Sequence, residues 1–158
     1  MESGPGVLEQ LDREWERIAQ GCRGRRALRG WWAAGATERD RGTLGGLVEW
    51  INERGHPEAS DAALLVLVRH APEDDLAART ALQAMMPAMK NLTAKFCTCG
   101  AWDSEETAAI VVAAMWERVR NYPVERRPAK VSANLALDTR QKVWRAGMKH
   151  VHGHVPRS

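Results

Sequence analysis

Residues 103–123 read DSEETAAIVVAAMWERVRNYP, and the pattern in this stretch decides the fold class. Asp103 followed by Glu106 is a capping-box start, in which an acidic side chain accepts an amide hydrogen that the first helical turn leaves unpaired. Thr107, Val111, Met115 and Val119 then recur at i, i+4 spacing, so they share one face of a helix, with Trp116 beside them. Tyr122-Pro123 ends the run, because proline disfavours helical backbone in the residue before it.

The same period repeats upstream. Leu8, Leu11, Trp15 and Ile18 predict a helix over 8–20, after a disordered start at 1–6 and before breaks at Gly21 and Gly24. A basic patch (Arg23, Arg25, Arg26, Arg29) precedes Trp31-Trp32, and Gly35 and the glycines of 42–46 read as further interruptions. Leu47, Val48, Trp50 and Ile51 predict a helix over 44–53, stopped by Gly55-His56-Pro57. Ser60 is the expected N-cap of AALLVLVRHA, which Pro72 ends. A longer helix over 73–96 follows, carrying Leu76, Leu82, Met85, Met86, Met89 and Leu92, with a kink expected at Pro87. Cys97-Thr98-Cys99-Gly100 reads as a connector. Downstream, a basic loop (Glu125-Arg126-Arg127-Pro128) leads into a last helix over 129–149. No β-alternation of useful length occurs. The expected architecture is an all-α bundle of five to seven helices: an N-terminal helical extension over 1–57, a main helical domain over 58–149 and a disordered tail over 150–158.

Composition narrows the class. Of 158 residues 44% are hydrophobic, enough for a core, and there are seven Trp against one Phe and one Tyr. No apolar run reaches membrane-spanning length, and the N-terminus lacks the basic start and apolar core of a signal peptide. The three cysteines, Cys22, Cys97 and Cys99, are an odd number and predict no disulfide framework, which makes a reducing cytoplasm the expected location. The net charge of +3 hides an asymmetry: residues 1–125 sum to −4 and residues 126–158 to +7. Such a block is either an electrostatic footprint for a polyanion or acidic protein face, or a solvated tail.

The last helix carries two readable faces. Ala133, Leu137, Trp144 and Met148 form an apolar stripe, flanked by Val131 and Leu135. Lys130, Asn134, Asp138, Gln141 and Arg145 fall on another face, with Arg126, Arg127, Arg140, Lys142 and Lys149 nearby. One packed face and one basic, hydrogen-bonding face suit docking on DNA: Lys and Arg neutralise phosphates, while Asn and Gln read base edges.

Three blocks together resemble region 2 of bacterial sigma factors, especially the short extracytoplasmic-function group, over about residues 64–145. LLVLVRHAPEDDLAARTALQAMMPAMKNLTAKF looks like that region's first helical pair. DSEETAAIVVAAMWERVRNYP is similar to the helix that docks on the polymerase clamp. KVSANLALDTRQKVWR looks like the helix that reads the −10 promoter element, with Asn134-Leu135-Ala136-Leu137-Asp138 as the most specific piece. The resemblance implies a sigma-like transcription regulator. DNA would be held by Arg126, Arg127, Lys130, Asn134, Asp138, Arg140, Gln141, Arg145 and Lys149. A polymerase-facing surface would include Glu105, Glu106, Ala109, Ile110 and Arg118. The chain departs from the family at two places: Ala109 and Ile110 replace a polar Gln-Glu pair, and Arg127, Pro128 and Ala129 stand where an aromatic cluster is common. Those departures point to the alternative, a protein-interaction or nucleoprotein-assembly module that reuses the sigma-like fold.

Other candidates read more blandly. Cys97-Thr98-Cys99 lacks the two-residue spacer and second ligand pair of structural zinc. His150, His152 and His154 read as an incidental part of the tail. No local motif supplies a nucleophile with its base, and no recognised phosphate loop occurs. No catalytic activity, cofactor or metal is expected. Trp116 and Trp144 are expected in the core. Trp31-Trp32, beside arginines, either stack on bases or a partner, or staple the N-terminal helices to the rest.

Overall fold

The computed structural model of the protein describes residues 4–32, 42–99 and 102–153, without the side chains of residues 99 and 148–153. The expectations placed on residues 1–3, on Gly35, Gly100 and residues 154–158, and on the side chains of Cys99, Met148, Lys149, His150 and His152 lie outside what is described.

Among the described residues there are eight α-helices and no strand: α1 (Val7–Ala19), α2 (Cys22–Trp31), α3 (Leu44–Ile51), α4 (Pro57–His70), α5 (Asp75–Ala84), α6 (Met86–Cys99), α7 (Ser104–Asn121) and α8 (Val131–Gly153). The all-α expectation holds, with more helices than expected for identifiable reasons. The basic patch at 23–29 is itself a helix, α2. Gly24 does not break it: the glycine is buried, and a Cβ there would lie 2.7 Å from Leu44 Cγ and Cδ1. Close packing on α3 offsets the roughly 1 kcal/mol that glycine costs inside a helix. The helix expected over 73–96 is two helices. The chain breaks at Met85 (φ −91, ψ 8), so Pro87 falls in the first turn of α6, where its missing N–H costs nothing.

The caps also differ in part. Asp103 caps α7 as expected, accepting the Glu106 amide at 3.0 Å. Asp74 does the same for α5, accepting from Leu76 and Ala77. Ser60 does not cap α4. That helix starts at Pro57, and Ser60 is buried inside it, 2.8 Å from His56 Nδ1. The 97–99 connector is the last turn of α6, and residues 150–153 extend α8.

One hydrophobic cluster runs from Trp15 in α1 to Val143 in α8. Helix α5 is its axis: every residue from Ala77 to Ala84 is buried. Burying Arg79, Thr80 and Gln83 there is tolerable only if their polar atoms are paired, and they are. Arg79 donates to Glu14 (3.2 Å), to the Leu11 carbonyl (2.7 Å) and to Gln83 (3.0 Å). Gln83 donates to Asp12 at 2.8 Å, and Thr80 donates to the Leu76 carbonyl at 2.7 Å. The Arg79 guanidinium also lies 5.5 Å from the Trp15 ring centroid. Helix α1 therefore shares the core with the rest; the turn at Gly55, near the expected boundary at 57, divides the sequence and not the core.

Trp31 belongs to the same framework. Its Nε1 donates to Asp74 at 2.9 Å, tying α2 to the start of α5, and its ring meets Trp32 edge-on at 6.3 Å. Both indoles are half-buried against the core, which favours the stapling reading for the pair.

Candidate functional site

Helices α7 and α8 form an antiparallel hairpin joined by the loop 122–130. Six side chains hold that loop in one shape. Asp138 Oδ2 accepts from Arg118 Nε at 2.8 Å and from Arg127 at 2.7 Å. Arg118 also donates to Asn121 at 3.2 Å. The Tyr122 hydroxyl donates to the Arg127 carbonyl at 2.6 Å and accepts from Asn134 Nδ2 at 2.9 Å. Asn134 donates as well to the Ala129 carbonyl at 3.0 Å. Both guanidiniums stand 5.9 Å from the Tyr122 ring centroid. Charge-assisted bonds of this kind are the stronger class, and one carboxylate shared by two arginines leaves the cluster with a net positive charge.

The start of α8 is fixed from outside the hairpin. Lys130 adopts φ 56, a left-handed conformation uncommon for a residue with a Cβ. Its carbonyl accepts the Asn134 amide at 2.9 Å, and the Ser132 amide donates to Asp61 of α4 at 3.0 Å. A carboxylate from a distant helix thus caps α8, where the helix dipole favours negative charge.

The sequence-predicted residues separate into three groups on this scaffold. Arg127, Asn134 and Asp138, expected to contact DNA, and Arg118, expected to face a partner, have their polar groups engaged within the molecule. Arg126, Lys130, Gln141 and Arg145 are exposed, and no ion pair joins the three cations to a described residue. Arg140 is also exposed but lies toward α6, where it and Gln141 line a groove with Lys95. Lys142, expected near the basic face, is paired with Glu117 of α7. On α7, Glu105, Glu106 and Ala109 are exposed, while Ile110 packs partly against the core.

The apolar stripe expected to bury α8 is the wrong one. Val131, Leu135, Thr139 and Val143 are each 0% exposed, whereas Leu137 is 49% and Trp144 54% exposed. Ala133 is exposed too. Trp116 is half-buried under Arg120, whose guanidinium lies 5.3 Å from its centroid. The roles of Tyr122, Asn121 and Asp61 were missed, although the Arg118-x-x-Asn121-Tyr122 spacing before the loop was a usable signal for the first two. Among the described residues no three His, Cys, Asp or Glu side chains are grouped to hold a metal ion, and no helix is long and apolar enough to cross a membrane.

No protein-family model, curated protein or solved structure matches the chain.

Proposed function

We propose that this chain is a sigma-factor-like transcription regulator that binds DNA along the edge formed by the 122–130 loop and α8. The observation that carries the reading is the three exposed cations Arg126, Lys130 and Arg145, which no ion pair joins to a described residue, around a loop that the Arg118–Asp138–Arg127 cluster fixes. A rigid positive edge costs little ordering entropy on binding and suits phosphate neutralisation. The resemblance supports it further: its second and third blocks fall on α7 and α8, while its first, likened to a helical pair, spans the three helices α4 to α6. In this reading Asn134 and Asp138 set the shape of the edge, and Gln141 is the side chain positioned to meet bases. RNA polymerase would face the exposed part of α7 around Glu105, Glu106 and Ala109, and the protein works without catalysis, in the cytoplasm.

The test is a salt series of DNA binding by fluorescence anisotropy. Arg126→Glu with Arg145→Glu removes two phosphate contacts, so affinity falls and the slope of log K against log salt flattens by about 1.8 on duplex DNA. An unchanged slope refutes the assignment. Recovery of polymerase subunits from nuclease-treated bacterial extract tests the second contact.

The exposed Leu137 and Trp144 specifically favour the second reading, a protein-interaction module, because apolar side chains of this size usually mark a contact when they sit together on a surface.

A further inference from the structure

Helix α8 has two apolar stripes, and the core uses one of them. The other faces α6 across a groove of about 720 Å³. Leu92 and Phe96 of α6 form its floor, and Leu137 and Trp144 of α8 form its wall. The two helices run in the same direction, since Ser132 Oγ meets Met85 Sδ at one end and Phe96 meets Trp144 at the other, with ring centroids 6.3 Å apart. Phe96 is held in turn by Trp102, stacked on it at 5.1 Å. Both α6 and α8 lean on α7, which packs the inner side of the pair. Among the described residues the charged side chains of the groove are cations, one on each helix: Lys95 on α6 and Arg140 on α8.

We propose that this groove takes an amphipathic helix of a partner protein, with acidic residues on both flanks of its apolar stripe. The shape argument is the parallel pair of helices, which offers a third helix a trough along its own axis. Leu137 and Trp144 are seven residues apart, about 10.5 Å along α8, so apolar residues two turns apart on the incoming helix engage both. The charge argument fixes the flanks: Lys95 and Arg140 stand on opposite walls, and each takes a carboxylate. A second copy of this chain would bring like charges together across the seam. A single-stranded nucleic acid would find Trp144 to stack on and Gln141 to bond, yet most of its surroundings would be aliphatic and aromatic side chains. The proposal does not rest on DNA binding at the other edge of α8.

The experiment is selection from a displayed library of 16-residue helical peptides on the full chain, followed by binding of the selected peptides to variants. Selected peptides carry large apolar residues at i, i+4 and i+7 with Asp or Glu on both sides. Trp144→Ala, and separately Lys95→Glu with Arg140→Glu, each weaken them by about tenfold or more, as expected of a central anchor and of its charged rim. Arg126→Glu with Arg145→Glu leaves them bound, so this proposal and the DNA reading fail separately. The proposal is overturned if no peptide prefers the wild type over Trp144→Ala, or if the selected flanks are not acidic. It is equally overturned if a labelled oligo-dT binds in a Trp144-dependent way, or if sedimentation shows a dimer that Trp144→Ala dissociates.

Discussion

Two leucines of α8, separated by one residue, provide the sharpest test of how the helix is seated. Leu135 is 0% exposed and Leu137 is 49% exposed. Truncating Leu135 to alanine removes about three buried carbons, near 2.4 kcal/mol at about 0.8 kcal/mol each. The cavity left between α8 and its neighbours adds to this, bringing the expected loss to about 3–4 kcal/mol. The same truncation at Leu137 gives up roughly half as much burial and opens no cavity. Alanine's better helix propensity offsets a further few tenths, leaving a loss of about 1 kcal/mol or less. The assay is urea unfolding followed by far-ultraviolet circular dichroism, with both variants compared at constant m-value. A gap of about 2–3 kcal/mol, with Leu135→Ala the weaker protein, is expected. Equal losses, or a larger loss at Leu137, would refute the seating of α8 and with it both the exposed stripe and the groove.

Three further outcomes follow from the same packing. Asp138→Ala strands Arg118 and Arg127 together and should cost about 1–3 kcal/mol, the lower end applying because all three side chains keep some solvent contact; an unaltered thermal midpoint would show that the cluster does not hold the loop. Gly147→Ala places a Cβ inside the Trp102 indole and should destabilise by about 1–3 kcal/mol through overpacking, read as a drop in melting temperature together with altered tryptophan fluorescence. Trp31→Phe keeps an aromatic group but loses the bond to Asp74 and part of the indole's packing, so a loss of about 1–2 kcal/mol in denaturant unfolding is expected.

Helix α7 was legible because it has one apolar stripe, Thr107 to Val119, and an acidic cap at its start. Helix α8 was not, because it carries two apolar stripes on nearly opposite faces, and periodicity alone does not say which of them packs. The stripe that packs contains Thr139, whose hydroxyl lies 3.4 Å from Met115 Sδ, and its register depends on α7 in space. The stripe that stays outside contains a tryptophan, and residue type alone favours burying it. The same limit applies to the candidate site. The Asn134-to-Asp138 spacing signalled an organised segment, but whether those side chains face DNA or the Arg118 and Arg127 guanidiniums is a matter of tertiary placement. Glycine misled in the opposite way: Gly24 reads as a break until the close approach of Leu44 is seen. Asp61, whose bond to Ser132 spans 71 positions, leaves no local trace at all.

The burial of α5 limits how this chain can be divided. Arg79 and Gln83 reach their partners Glu14, Leu11 and Asp12 on α1, so a fragment beginning near residue 58 would open two buried polar side chains to one side and uncover the Trp15 contact. Amide hydrogens of α5 should accordingly be among the slowest to exchange, released only when the whole molecule opens. The helices before Gly55 and those after it share one core among the described residues, so removing α1 is expected to weaken α5 and whatever α5 supports, far from the place where the chain was cut.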